Sequence, residues 1–131
     1  MKTKAIIIWV IVLGLIGWGV YGIVQNSKKP GRYDELATCI KDSGATFYGA
    51  FWCPHCQNQK AMFGLKSAKL LPYVECSEKD GKSQKQVCID ANIQSYPTWE
   101  FANGTRQTGE IPLAELAEKT SCTLPDVVNT Q

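Results

Sequence analysis

Cys53-Pro54-His55-Cys56 puts two thiols, a proline and the chain's only histidine into four consecutive positions. Such a cluster can hold a metal, crosslink a fold, or exchange disulfides. Exchange needs an accessible thiolate and a second thiol able to resolve the mixed disulfide. Pro54 suits the first turn of a helix, where its missing N–H would have no intrahelical partner. Cys53 then stands where a strand gives way to a helix, and unpaired backbone N–H groups and the helix dipole there favour a negative sulfur. Cys56 lies one turn further in, within reach of Cys53. A protonated His55 would add positive charge beside the attacking sulfur. Stabilising the thiolate stabilises the reduced form and makes the disulfide more oxidising; such motifs have pKa values of roughly 3.5 to 7 and potentials spread over more than ~100 mV. Phe51 and Trp52, just ahead, would shape the rim.

The other readings of these residues are plainer. A structural zinc site needs four ligands, yet the chain has no second Cys-x-x-Cys, and the spacing of Cys76 and Cys88 matches no common zinc pattern. No metal is therefore expected. A purely structural 53–56 bond would close very little chain and stabilise little. His55 taken alone would be a surface histidine. Pro97, after Tyr96, would by itself be an ordinary trans proline opening a strand, since cis occurs in only ~5–6% of X–Pro bonds.

These groups need a frame. Residues 33–41 (YDELATCIK) place Leu36, Cys39 and Ile40 near helical spacing, and Asp42-Ser43-Gly44 ends that helix. Residues 45–52 (ATFYGAFW) read as a buried strand. A helix follows from Pro54 to about Leu70, weakened or bent at Gly64. Residues 72–76 are a short strand, SEKDGKS is a polar loop, and Gln84 to Ala91 is a second amphipathic helix. Residues 96–101 form a strand, Asn103-Gly104 turns a hairpin, and 105–109 return. Pro112 opens a last helix, LAELAEKT. Helices between strands imply parallel pairing, and the hairpin adds antiparallel strands. The fold class is a small mixed α/β sheet flanked by helices.

This domain, 33–131, is preceded by a different kind of sequence. Residues 5–24 carry no charge and would span about 30 Å as a helix, enough for a bilayer core. A cleavable signal peptide would have a shorter apolar run and a small-x-small site. An uncleaved membrane anchor over 1–24 is therefore expected, with a polar linker at 25–32 (QNSKKPGR). Lys28, Lys29 and Arg32 after the span, against Lys2 and Lys4 before it, mildly favour a cytoplasmic C-terminal side. All six cysteines lie beyond the anchor, however, and dense cysteine in a small domain suits an oxidising compartment. The cysteines decide the expectation: cell membrane, single pass, with the domain on the extracytoplasmic (periplasmic) side. A net charge of +2 gives no reason to propose nucleic acid as a partner.

A strand ending in aromatic-Trp-Cys-Pro-x-Cys, followed by helix, strand, helix, Tyr-Pro-Thr, hairpin and helix, resembles the thioredoxin family over about residues 33 to 122. The resemblance implies that Pro97 is cis and faces the active disulfide. It makes Tyr96 and Pro97, with Trp52, the platform on which substrate pairs as an added strand. Cys-Pro-His-Cys looks like the motif of bacterial disulfide oxidases. More narrowly, FYGAFWCPHCQNQKAMFG, PYVEC, SYPTWEFANG and GEIPLAELAEKT look like the thioredoxin-like partner or fused domain of vitamin K epoxide reductase homologues, membrane enzymes that pass electrons from such a domain to quinone. The four-helix reductase part is not in this chain. One departure stands out. Many thioredoxins carry a buried aspartate six residues before the first active cysteine, for proton transfer. Phe47 occupies that place here, so Glu75 or Glu100 would have to substitute.

For the remaining cysteines, a Cys76–Cys88 bridge would close a loop of about a dozen residues, worth ~3 kcal/mol by loop entropy. Cys39 lies in the first helix and Cys122 just after the last; the resemblance puts these elements on flanking parts of one sheet, so a 39–122 bridge would tie the domain's ends. Alternatively, one of these pairs relays electrons. The function expected is a membrane-anchored thiol–disulfide oxidoreductase acting on cysteine-containing exported proteins, with Cys53, Pro54, His55 and Cys56 as its site. It needs no bound cofactor and is reoxidised by a quinone-linked vitamin K epoxide reductase homologue. The alternatives are an outward-facing reductase or isomerase, and a non-catalytic metal-binding or structural module.

Overall fold

The computed structural model describes residues 2–125; the expected end of the domain at 131 lies outside the described residues. The chain divides between Pro30 and Gly31 into two units. The first is helix α1 (Lys2–Lys28). Its stretch Ile6–Gln25 has a mean hydropathy of 2.4 and is long and apolar enough to cross a membrane. The helix runs on through residues 25–28, which the sequence reading assigned to the linker. Extending an existing helix is easy once its nucleus has formed, and the first strong local breaker is Pro30, which disfavours helical geometry at Lys29.

The second unit has the order α2 (Asp34–Asp42), β1 (Thr46–Gly49), α3 (Pro54–Ser67), a 3-10 turn (Ala68–Leu70), β2 (Tyr73–Glu75), α4 (Gln86–Asp90), β3 (Thr98–Glu100), β4 (Arg106–Thr108) and α5 (Leu113–Thr120). It is the mixed α/β architecture expected from the resemblance. The sheet order is β2-β1-β3-β4. The α3 crossover makes β1 and β2 parallel, with Phe47 opposite Tyr73. β3 runs antiparallel to β1, with Trp99 opposite Phe47, and the 101–105 turn folds β4 back onto β3. Asn103 accepts from the backbone N–H and hydroxyl of Thr105, and Gly104 takes a φ of +79° in that turn.

Phe47 and Trp99 stack in the core with centroids 4.6 Å apart, and Tyr73 meets Phe47 edge-on at 5.2 Å. Leu36 and Ile40 of α2, Phe63 of α3, and Ile111, Leu116 and Ala117 at α5 are buried in the same cluster. Asp34 fixes where the chain enters this unit. Its carboxylate accepts from Gly31 N–H and from the Ser67 hydroxyl, both at 2.7 Å, and Ser67 Oγ in turn accepts from Tyr33 N–H.

Several elements are shorter than their sequence patterns suggest. β1 ends at Gly49 because Cys53 N–H turns back to the Ala50 carbonyl at 3.0 Å, removing residues 50–52 from the ladder. α3 is split at Gly64, whose φ of +81° and ψ of 161° are not helical. α4 begins two residues late because Gln84 pairs as an isolated bridge with Ser77 and spends its amide on the Ile93 carbonyl and the Tyr96 hydroxyl.

Candidate active site

Cys53 caps α3 at its N-terminus with extended backbone angles, and Pro54 takes the first helical position. The Cys53 sulfur accepts from Cys56 N–H at 3.4 Å, so a backbone donor at the helix start points at it. Gln57 N–H continues the helix onto the Cys53 carbonyl. The two cysteines are not bonded to each other. Cys53 is 5% exposed and Cys56 1%, so the second thiol is sealed beneath the first. Gly49 makes this possible. A Cβ there would lie 2.9 Å from the Cys56 sulfur and 2.8 Å from the Tyr73 ring, distances no side chain tolerates. Burial, helped by the hydrogen bond with Cys53, pushes the Cys56 thiol up to about 12.

On the opposite wall the Tyr96–Pro97 peptide is cis. The Cys53 thiol reaches the Tyr96 carbonyl at 3.7 Å. Pro97 is buried and gives its carbonyl to Gly109 N–H. Trp52 meets the Tyr96 ring edge-on at 6.1 Å. Its indole N–H donates to Ser77 Oγ at 2.9 Å, and the Tyr96 hydroxyl accepts from Gln84. Phe51 and Trp52 nevertheless leave 51% and 48% of their surface in solvent, forming an aromatic rim beside a nearly buried sulfur.

His55 faces away from the core. Its Nδ1 is 2.6 Å from Glu110 Oε1, which also accepts from the Asn58 amide at 3.1 Å. The His55 contact, then that of Asn58, holds the Glu110 carboxyl below the ordinary glutamate value. Glu110 carries no local signal in sequence; its partners lie more than fifty positions away. Gln59 is another residue that sequence reasoning missed. It is fully buried and clasps Ile111 with both ends of its amide, donating to the carbonyl at 3.0 Å and accepting from the N–H at 2.7 Å.

The structure separates the two carboxylates that could replace the family's aspartate. Glu100 pairs with Arg106 at the end of the sheet where Thr46 begins β1, away from the thiols. Glu75 lies at the thiol end. It accepts from Phe51 N–H at 3.2 Å, Ser77 N–H at 2.9 Å and the Tyr73 hydroxyl at 2.8 Å. Cys76 is bonded to Cys88 at the foot of the 77–87 loop, and Cys39 to Cys122 between α2 and the end of α5. Among the described residues, no group of three or more His, Cys, Asp or Glu side chains could hold a metal ion.

A dithiol at the start of the helix that follows β1, facing a cis-proline, is the arrangement of a thioredoxin fold. The family described as Thioredoxin matches residues 31–121, and the chain belongs to that family. It is also 47% identical over 98 residues to a protein of Arabidopsis thaliana named thiol-disulfide oxidoreductase LTO1. The match covers 72% of this chain but only 26% of that relative.

Proposed function

We propose that this chain is a membrane-anchored thiol–disulfide oxidoreductase whose working pair is Cys53 and Cys56. The observation that carries this reading is the Cys53 sulfur itself. It sits at a helix N-terminus, accepts a backbone N–H, and lies against the Tyr96 carbonyl beside a cis-proline. A substrate thiolate attacks Cys53 Sγ of the oxidised pair. The 53–56 bond breaks and its electron pair goes to Cys56. The substrate's second thiolate then attacks the substrate sulfur of the mixed disulfide, forming the substrate's disulfide and releasing Cys53. Substrate backbone pairs with the Tyr96 edge, and Phe51 and Trp52 cover its flanking residues.

The apolar helix α1 supports anchoring, and two disulfides outside the exchanging pair support an oxidising, extracytoplasmic setting. The reduced pair is reoxidised by a quinone-linked homologue of vitamin K epoxide reductase. The matched region is only about a quarter (26%) of the Arabidopsis relative, so there the domain belongs to a longer protein; here the apolar helix would hold the domain and the reductase in the same bilayer. A shared membrane raises the effective concentration of the two.

Trapping tests the reading. Cys56→Ala removes the thiol that attacks a Cys53 mixed disulfide from within the chain, so adducts outlive those of the wild type, and mass spectrometry of the full chain from its own membranes is expected to find exported proteins and one integral membrane protein on Cys53. A variant free of adducts under every growth condition overturns the proposal.

A further inference from the structure

Lys60 stands one helical turn beyond Cys56 on α3, and its ammonium lies 3.2 Å from the centroid of the Tyr73 ring. That ring and the Cys56 sulfur are the two groups that fill the space left by Gly49. The Tyr73 hydroxyl donates to Glu75, whose other oxygen is held by the Phe51 and Ser77 N–H groups. A buried thiol, an aromatic face, an amine and a fixed carboxylate are thus assembled behind the dithiol. The half-buried Lys60 also lines two surface clefts, of about 360 and 380 Å³, the second shared with Lys69 and Tyr73. Its amine therefore borders solvent while interacting electrostatically with the sealed Cys56 sulfur.

We propose that Lys60 is the proton donor and acceptor of Cys56, with Glu75 as the carboxylate that holds, through the Tyr73 hydroxyl, the ring on which the amine sits. The inference rests on the reading of Cys53 and Cys56 as the exchanging pair. When the 53–56 bond breaks, the electron pair arrives on a sulfur sealed from solvent, where an anion is poorly tolerated. Lys60 Nζ delivers a proton to that sulfur, and the neutral amine recovers one from water in the cleft. In the reverse direction Cys56 gives its proton to neutral Lys60 as it attacks the mixed disulfide. The electrostatics agree. Burial lowers the Lys60 pKa from the usual lysine value, which eases proton release, while Glu75 and Cys56 pull it back up. The titratable and charged groups around the amine are Cys56 on α3, Tyr73 and Glu75 on β2, and Lys69 on the 3-10 turn.

The test follows reduction of the oxidised full chain by reduced glutathione, read by acid quench and mass spectrometry, with rates corrected for glutathione's own ionisation. In the wild type the rate is expected to be flat near neutrality and to fall as pH approaches the depressed lysine pKa. Lys60→Met and Lys60→Arg should both slow the step on the order of a hundredfold near pH 7 and remove that alkaline fall. Arginine retains the cation over Tyr73 but does not release its proton, so it separates proton transfer from ring packing. Glu75→Gln should move the fall to lower pH. Wild-type rate and profile in Lys60→Arg, or an alkaline fall that survives in both Lys60 variants, overturns the inference. So does a wild-type profile with no alkaline fall, a result that stands even if Lys60→Met does not fold. Cys53→Ser keeps the two proposals apart. If it still exchanges, the site reading fails; if it is inert while the Lys60 variants behave as wild type, only the proton relay fails.

Discussion

Cys53 and Cys56 carry the same functional group three positions apart, and their surroundings give them different work. The Cys53 sulfur is aimed along the mouth of the site at the Tyr96 carbonyl, whereas Cys56 is packed against Gly49 and Tyr73. Holding the Cys56 thiol up to about 12, chiefly by burial, keeps it protonated throughout the physiological range. In the dithiol form iodoacetamide at pH 8 should therefore modify Cys56 on the order of a thousandfold more slowly than free cysteine, as peptide mass spectrometry would show. Comparable rates would mean that the second sulfur is neither sealed nor neutral. The shift also sets a stability trend. A group whose folded pKa is raised contributes its stability fully below the unfolded value and loses it as pH climbs through the folded one. The reduced fold accordingly weakens from the ordinary cysteine range up toward about 12.

Between elements, the site depends on α3 being held at both its start and its middle. Glu110 holds the first turn through His55 and Asn58, and Gln59 pins the next turn to the backbone of Ile111. Gln59→Ala would leave the N–H and carbonyl of Ile111 buried without partners, at a cost of about 1–3 kcal/mol for each stranded group. Thermal or urea unfolding should show a loss of about 2–6 kcal/mol for the two groups together, with α3 less firmly set against the cis-proline loop; an unchanged midpoint would show that the clasp contributes nothing net. These ties also mark where sequence reading stops. Cys53, Pro54 and Cys56 stand out in the sequence because residue type and short spacing suggest their chemistry, whereas a cis Pro97 was expected only from the resemblance. The helices and strands were readable from apolar patterning, but β1 was read too long because the turn from Ala50 to Cys53 keeps the apolar character of a strand. Gln59 and Glu110 were not readable, since each depends on a partner more than fifty positions away. The choice between Glu75 and Glu100 needed the sheet register, which puts Glu100 beside Thr46 and Glu75 beside Gly49. Lys60 was open to notice, because a helix places residue i+4 over residue i.

At the scale of the whole chain, two disulfides stand beside a free dithiol, and the two sets of sulfurs have to stay chemically separate. An exchanging domain that carries other disulfides risks reshuffling them unless those sulfurs are inaccessible or poorly placed for attack. Cys76 and Cys88 are fully buried, and Cys39 and Cys122 join α2 to the chain just past α5, where, among the described residues, no feature comparable to the helix start at Cys53 lies beside them. Their contribution is better explained by loop closure. The 39–122 bond spans 83 positions and the 76–88 bond 12, for which chain entropy gives about 4.5 and about 3 kcal/mol respectively. A domain of this size has a net stability of only about 5–15 kcal/mol, so the longer bridge alone is a large share of it. If both are structural, Cys39→Ser with Cys122→Ser should lower the unfolding free energy by about 4.5 kcal/mol, more than the corresponding 76–88 pair, while the rate of exchange at Cys53 stays at the wild-type value below the melting transition. Urea titration and a glutathione reduction assay on the same preparations would read both quantities. A relay role predicts the reverse pattern: substrate oxidation would slow at unchanged stability, and Cys39 or Cys122 would be found in a mixed disulfide during turnover.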